Sequence, residues 1–209
     1  MKINPEFITT VTDARSKRFP IICIYCDHWQ NGGVEAYLMN LFRFWDFSKL
    51  NCELVTSQAE TDLYDKELEK LGIRHIITLK KSYRSPILRI LHNLSAVRTL
   101  FAEKQYDAVY LNLSNSFTMI YACLARHAGI PVRIVHSHCA GIKPSFSLPI
   151  KQTAHIFGRA LFKRSVSAYF ACSELAARWM FGNKKVRSKQ VNLVNNAIDV
   201  SAFAKNAAE

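Results

Sequence analysis

The stretch FPIICIYCDHWQNGGVEAYLMNLFRFW, residues 19 to 45, changes its hydrophobic pattern halfway along. Its first part is a continuous apolar run, which is typical of a strand buried on both faces of a sheet. In its second part, apolar residues recur at the spacing of one helix face. These are Val34, Leu38, Leu41, Phe42 and Trp45. Two glycines stand at the junction, so the stretch predicts a buried strand, a turn and a helix.

This alternation of strand and helix continues along the chain. Strands are predicted at residues 20–26, 51–57, 73–79, 107–113, 132–138, 167–173 and 190–195. Helices are predicted to begin at Val34, Asp62, Pro86, Phe117, Leu148 and Glu174. Short apolar strands alternating with helices favour an α/β fold, a Rossmann-like parallel sheet of about seven strands with helices on both faces. In such a sheet, ligands bind beyond the carboxyl ends of the strands.

Composition predicts a globular cytoplasmic protein. The chain has 209 residues, of which 49% are hydrophobic, and this is enough for a packed core. Its apolar runs are shorter than the roughly 18 residues that a membrane span needs. Residues 1–18 contain no apolar segment of the secretory type, so we expect a mobile, basic N-terminal extension there. The six cysteines lie mostly within apolar runs, as small hydrophobic side chains do in a reducing compartment.

The net charge of +12 implies an anionic partner. Basic residues cluster without the aromatic interleaving or the motifs of nucleic-acid binders, so a nucleic-acid partner is not expected. An anionic membrane surface or a phosphorylated substrate is preferred, with peripheral attachment to the inner face of the membrane. The residues predicted to face that membrane are Lys80, Lys81, Arg84, Arg159, Lys163 and Arg164. A solvated basic surface without a partner stays open as an alternative.

Asn31, Gly32 and Gly33 form the predicted turn between the first strand and its helix. They do not match the G-x-G-x-x-G pattern of dinucleotide-binding proteins. Without a Cβ atom at either glycine, a phosphate or a sugar could approach the backbone at a helix N-terminus. The alternative is a turn whose glycines supply positive φ angles, and the pattern by itself does not decide between the two.

Two histidines end the predicted fifth strand. His136 and His138 are two residues apart and therefore lie on one face of an extended strand. A metal site with Cys139 is disfavoured, because the chain has no further His/Cys cluster with ligand spacing. We interpret His136 as a structural histidine. We interpret His138 as a substrate contact or an acid/base group at the carboxyl end of the strand.

Two further motifs have ordinary structural explanations. Cys23 and Cys26 match C-x-x-C, but they lie inside the first predicted strand, whereas a redox pair opens a helix. Ser173 is predicted to cap a helix that has Glu174 in its first turn. The N-terminus of that helix would point into the same cleft as the other motifs.

Taken in order, four segments resemble the N-terminal half of retaining glycosyltransferases of the GT-B fold, family 4. These segments are NGGVEAYLMNLFRFWD, VRIVHSHCAG, YFACSELAARWMFG and VNLVNNAIDVSAF. The resemblance runs from about residue 19 to residue 203 and is greatest with the enzymes that build capsular and exopolysaccharides. It implies one half of a GT-B fold, a nucleotide-sugar donor, a lipid-linked or glycan acceptor, and transfer with retention of configuration. The nucleotide sugar would be a substrate, and no cofactor or metal is expected.

The resemblance also implies roles for individual residues. Gly32 and Gly33 would face the donor pyrophosphate and the transferred sugar, with Asn31 beside them. His138 would be the catalytic-site histidine that touches the sugar or the acceptor. Ser173 and Glu174 would open the helix that flanks the cleft. Residues 195–199, NNAID, stand where many relatives have a P-N-G signature before the crossover into the second domain.

The sequence departs from the family after that signature. The family binds its nucleotide through a second domain with paired glutamates spaced E-x7-E, and residues 180–209 contain no such pair. The predicted organisation is therefore an acceptor-binding domain at 19–199 and the start of an interdomain linker at 200–209, with the donor-binding domain absent. Two hypotheses follow. The chain is either an acceptor domain, incomplete and inactive alone, or a non-catalytic module that binds a membrane-associated glycan or lipid phosphate.

Overall fold

The computed structural model describes residues 19–142 and 148–196. The predicted extension at 1–18 and the predicted linker at 200–209 lie outside these described residues, as does the end of the NNAID segment. The strands are β1 Ile21–Trp29, β2 Asn51–Ala59, β3 Arg74–Ile77, β4 Ala108–Leu113, β5 Val132–Ser137, β6 Ala168–Ala171 and β7 Val191–Leu193. The helices are α1 Gly33–Arg43, α2 Asp65–Lys70, α3 Pro86–Glu103, α4 Ile120–His127, α5 Leu148–Phe162, α6 Glu174–Phe181 and α7 Asn183–Arg187.

All seven strands pair in parallel, in the spatial order β3-β2-β1-β4-β5-β6-β7. The chain adds strands to one side of β1 through β3 and then to the other side from β4 onward. The order therefore reverses between β1 and β4, which makes the carboxyl ends of these two strands the switch point of the sheet.

Two apolar cores cover the two faces of the sheet. One core packs α1 and α2 against side chains such as Ile24, Leu54 and Tyr110. The other packs α3, α4 and α6 against the alternate residues, among them Tyr25 and Leu111. Because neighbouring residues of a strand point to opposite faces, the continuous apolar runs of β1 and β4 supply both cores.

Local signals set several helix ends. Ser85 accepts a hydrogen bond from the Leu88 N–H and is followed by Pro86 at the first helical position of α3. Gly72 and Gly129 follow α2 and α4 with φ angles of 70° and 78°, as helix-ending glycines do. Within the described ranges, none of the helices is both long and apolar enough to cross a bilayer.

Some predicted boundaries are wrong. β1 continues to Trp29, three residues beyond the predicted end. α2 begins at Asp65 and not at Asp62, because the segment between them turns. Where a helix was predicted from Phe117, a short 3₁₀ turn at Ser116–Met119 comes first and α4 begins at Ile120. Asn115 caps this turn by accepting from the Thr118 N–H.

Candidate functional site at the switch point of the sheet

The ends of β1, β4 and β5 and the N-terminus of α1 meet at one edge of the sheet. The register pairs Tyr25 with Leu111 and Asn112 with His136, so residues of the three strands stand side by side at this edge. The candidate site is at this edge, where the strand order reverses and a crevice for ligands is expected outside the carboxyl ends of the strands.

The two predicted histidines lie together there. His136 is fully buried, and the centroid of its ring is 4.0 Å from that of His138. The Tyr110 hydroxyl is 2.5 Å from His136 Nδ1 and 2.8 Å from the Tyr37 hydroxyl. This buried chain of polar groups joins β5, β4 and α1, which agrees with the structural role predicted for His136.

Asn112 orients His138. The Asn112 amide group donates to the carbonyl oxygens of Tyr25 and Tyr110 at 3.3 and 3.4 Å, which turns its Oδ1 atom toward His138. His138 Nε2 lies 2.9 Å from this oxygen. Because Oδ1 can only accept, Nε2 carries the proton and Nδ1 keeps the lone pair. Nδ1 has no hydrogen-bond partner among the described residues.

Burial keeps both imidazoles neutral. Burial, and then the proximity of His138, lower the pKa of His136 from the usual 6.5 to about 2. Burial also lowers the pKa of His138, to about 4. At neutral pH, His138 is therefore a hydrogen-bond acceptor at Nδ1 and carries no charge that would bind a phosphate. The described residues contain no group of three His, Cys, Asp or Glu side chains that could hold a metal ion.

The glycines of the turn do not have positive φ angles. Gly32 has φ −134° and ψ −177°, an extended conformation open to any residue, and the glycines with positive φ are Gly72, Gly129 and Gly182. The turn explanation based on positive φ is therefore wrong. A Cβ atom at Gly32 would lie 2.8 Å from Glu35 Oε2, whereas one at Gly33 would have nothing within 4 Å. Gly32 thus makes room for a carboxylate, and the space beside Gly33 is open.

The buried Glu35 side chain bonds to the backbone of the turn between β1 and α1. Its side chain is 6% exposed, and Oε1 accepts from the Gln30 N–H at 3.0 Å. Glu35 is the third residue of α1 after the cap position Gly32, which is the spacing of a capping box. The carboxylate also complements the positive end of the helix dipole. Sequence reasoning missed this role, although the cap-to-Glu spacing of three residues signals it.

Comparison with known proteins identifies the family. Residues 32–197 match the family model of the glycosyl transferase 4-like domain. The chain belongs to the glycosyl transferase 4-like domain family. It is 31% identical over 175 residues to the putative glycosyltransferase EpsF of Bacillus subtilis (strain 168), covering 84% of this chain and 44% of that protein.

Solved structures share the fold of this glycosyl transferase 4-like domain at low sequence identity. A crystal structure of HepE from Anabaena with UDP and glucose matches with a TM-score of 0.60 and 17% identity, over 87% of this chain and 46% of HepE. The lipopolysaccharide outer core galactosyltransferase WaaB matches with a TM-score of 0.55 and 19% identity, over 87% of this chain and 47% of WaaB. The chain thus spans about half the length of these relatives. The predicted fold, a Rossmann-like half of a GT-B enzyme, is confirmed.

The helix predicted to flank the crevice is α6, and it begins at Glu174 as predicted. The Ser173 hydroxyl accepts from the Ala176 N–H at 3.2 Å and caps α6. Glu174 forms an ion pair with Arg178 at 2.6 Å on the exposed side of the helix. Asn31 is exposed in the turn before α1. Contacts of these three residues with a substrate stay predictions.

The six predicted membrane-facing residues do not form one surface of the domain. Lys80, Lys81 and Arg84 are exposed between the end of β3 and α3, at the carboxyl edge of the sheet. Lys163 and Arg164 lie between α5 and the start of β6, at the opposite edge. Arg159, the sixth of these residues, is less exposed than the others, and its membrane contact stays a prediction. Its guanidinium is partly buried and donates to the Trp179 carbonyl oxygen at 3.0 Å, and burial lowers its pKa.

Proposed function

We propose that this domain is the half of a glycosyltransferase that holds the acceptor and contacts the transferred sugar in the crevice at the switch point. The observation that carries the proposal is the neutral His138, oriented by Asn112, at the carboxyl edge of the sheet in a glycosyl transferase 4-like domain. A sugar hydroxyl would donate to His138 Nδ1, which is buried in this structure, so binding would also displace the atoms that cover it. A buried acceptor of fixed orientation binds a hydroxyl well, because little reorganisation is needed on binding.

The proposed donor is a nucleotide sugar, and transfer would proceed with retention of configuration, as the family resemblance implies. The likeness to HepE, whose crystal structure is described as a complex with UDP and glucose, supports such a donor. The proposed acceptor is a glycan or a lipid-linked glycan of polysaccharide biosynthesis. The likeness to a lipopolysaccharide galactosyltransferase supports this class of acceptor.

A chimaera tests the proposal, with residues 19–196 of this chain replacing the matching segment of EpsF. We expect it to transfer sugar from a UDP-sugar to a glycan acceptor. His138→Gln should lower kcat by about 100-fold, the effect of removing one preorganised polar contact. His127→Gln is the matched control, because His127 is exposed on α4 and bonds to the Cys123 carbonyl oxygen within its own helix. Equal activity of the two folded variants would refute the assignment of His138.

We also propose that the start of α3 binds an anionic bilayer. Four large apolar side chains are exposed there, next to the cations at positions 80, 81 and 84. They are Ile87, Leu88, Ile90 and Leu91. Exposed aliphatic side chains beside cations match the interface of an anionic membrane, where the apolar groups enter the acyl boundary and the cations meet phosphates. Membrane binding by this surface is compatible with both hypotheses, the catalytic acceptor domain and the non-catalytic binding module.

Vesicle sedimentation of the 209-residue chain tests the bilayer proposal. Lys80→Gln/Lys81→Gln/Arg84→Gln should weaken binding to vesicles with anionic lipid by on the order of 100-fold, at about 1 kcal/mol for each cation. Ile87→Ser/Leu91→Ser should weaken binding and leave its salt dependence unchanged. Lys49→Gln/Lys66→Gln/Lys70→Gln removes the same charge from other exposed positions. If this control weakens binding equally, the net charge and not the α3 surface is responsible.

A further inference from the structure

A second concave site lies at the edge of the sheet opposite the crevice. It is a cavity of about 540 Å³ between α5, the end of α6, α7 and the residues that precede β7. Two of the residues that line it, Lys163 and Gln190, precede β6 and β7 and therefore lie at the edge of the sheet where these parallel strands begin. The crevice lies where the strands end, whereas most residues that line the cavity belong to α5, α6, α7 and the segments that precede β6 and β7, so the two sites are lined by different residues.

The cavity combines a cationic rim with an apolar floor. Lys163, Lys184 and Lys185 line it together with Arg159, and none of the described residues that line it is acidic. Apolar side chains line the rest of the cavity, among them the buried Phe181 and the exposed Ala160, and we call this apolar part the floor. Excess positive charge without carboxylates creates a local potential that favours an anion.

Neighbouring groups fix the cations in place. Lys185 Nζ lies 3.8 Å from the centroid of the Tyr169 ring and donates to Gln190 Oε1 at 3.1 Å. The Tyr169 hydroxyl donates to the Lys163 carbonyl oxygen at 2.6 Å, which ties the backbone of the rim to the floor. Burial lowers the pKa of Lys185, as expected for an ammonium group that is partly withdrawn from water. A preorganised cation loses less freedom when it binds a ligand.

We propose that this cavity binds a phosphate ester that carries an apolar group. The phosphate would meet the lysines of the rim, and the first part of the apolar group would cover Phe181 and Ala160. The site differs in chemistry from the crevice, whose histidines are neutral. It also gives Lys163 a role separate from the surface of α3, which lies at the opposite edge of the sheet.

Calorimetric titration of the 209-residue chain tests the proposal, with dihexanoyl phosphatidic acid below its micellar concentration as the probe. Lys184→Gln/Lys185→Gln should weaken binding at least tenfold, since each cation near a phosphate contributes about fivefold. Lys163→Gln, which leaves the contact of Lys185 with Tyr169 intact, should weaken it by about fivefold. The control Lys66→Gln/Lys70→Gln removes two exposed charges from α2 and should leave affinity within twofold.

Ala160→Trp separates the apolar contact from the charge, because it fills the floor without changing a cation. It should weaken binding of the amphiphile at least tenfold and leave binding of inorganic phosphate unchanged. Vesicles that contain phosphatidic acid identify the source of the ligand. In the Lys80→Gln/Lys81→Gln/Arg84→Gln background, which removes the cations beside α3, loss of the remaining vesicle binding in Ala160→Trp supports a lipid head group, and unchanged vesicle binding supports a free phosphate ester. Absence of amphiphile binding, or equal weakening by the α2 control, would overturn the proposal.

Discussion

Lowering the pH from 7 to 5 should destabilise the folded domain through His136 and His138. Both have folded-state pKa values below the usual 6.5, at about 2 and about 4. Between pH 6.5 and these lower values, the unfolded chain binds protons at the two histidines and the folded domain does not. The contribution of the neutral histidines to the free energy of unfolding is therefore fully present above the unfolded pKa and is lost as the pH falls below it. At pH 5, each buried imidazole contributes a loss of about 2 kcal/mol relative to pH 7.

The two histidines together should therefore lower the free energy of unfolding by about 4 kcal/mol, a large part of the 5 to 15 kcal/mol typical of a domain. Carboxylates with lowered pKa values add little to the change in the free energy of unfolding between pH 7 and 5. Those with lowered pKa values, such as Asp46 at about 2, titrate at lower pH. His75 and His155 also have pKa values lowered by burial and add to the loss in the same direction.

Urea unfolding of the 209-residue chain at pH 7, 6 and 5, followed by circular dichroism, measures the effect. His138→Gln should reduce the loss between pH 7 and 5 by about 2 kcal/mol, because one titrating site is removed. His127→Gln, at an exposed histidine, should leave the loss unchanged. If stability falls by less than about 1 kcal/mol, or if His138→Gln has the same pH dependence as the original chain, the neutral buried pair is not present in solution.

Three sets of substitutions test other parts of the structure by urea unfolding. Gly158→Ala should cost about 3 kcal/mol or more, because the new Cβ atom would lie 2.6 Å from the backbone nitrogen of Phe117, whereas Gly33→Ala should cost less than about 1 kcal/mol. Gly32→Ala should cost about 2 kcal/mol, because the methyl group displaces the Glu35 carboxylate and breaks its bond with Gln30, and it should cost less in a Glu35→Ala background, where no carboxylate is displaced. Ser173→Ala should cost about 1 kcal/mol through the lost cap of α6, and Ser173→Asp should restore it. Equal costs at Gly32 and Gly33, or no cost at Ser173, would contradict the corresponding contacts.

The spacing of apolar residues predicted the architecture, because most strands and helices show the spacing typical of their own type. The apolar runs of β1 and β4 are continuous since both faces of these strands are covered, so the runs indicated a parallel sheet. Helix boundaries were predicted wrongly, or helices were missed, where a segment has too few apolar residues to show a spacing. α7, residues Asn183–Arg187, has five residues and one apolar side chain among them, so no helical period could indicate it. Period also does not show which half of an apolar helix face is covered, and the start of α3 is exposed although it is apolar.

The candidate site was predictable only in part, because its decisive contacts cross strands. A spacing of two residues placed His136 and His138 on one face, and their rings do lie together. Asn112 and Tyr110 were missed. They act through the pairing of β4 with β5, which brings residues 26 positions apart into contact and cannot be read from either segment alone. The signal was a polar Asn112 inside an otherwise apolar strand, since such a side chain must find partners when it is buried.

The charges around the end of β1 bear on which part of a nucleotide sugar the glycine turn would meet. Asp27 accepts from the Tyr25 hydroxyl, Glu60 contacts His28 at 3.2 Å, and Glu35 lies beneath Gly32. A pyrophosphate placed against this turn would face carboxylates, and like charges that are brought together out of water repel strongly. Sugar hydroxyls, in contrast, can donate to carboxylates and to the lone pair of His138. Of the two contacts that the family resemblance implies for Gly32 and Gly33, we therefore propose that the sugar is the one made at this turn, with the phosphates of a donor held by cations outside it.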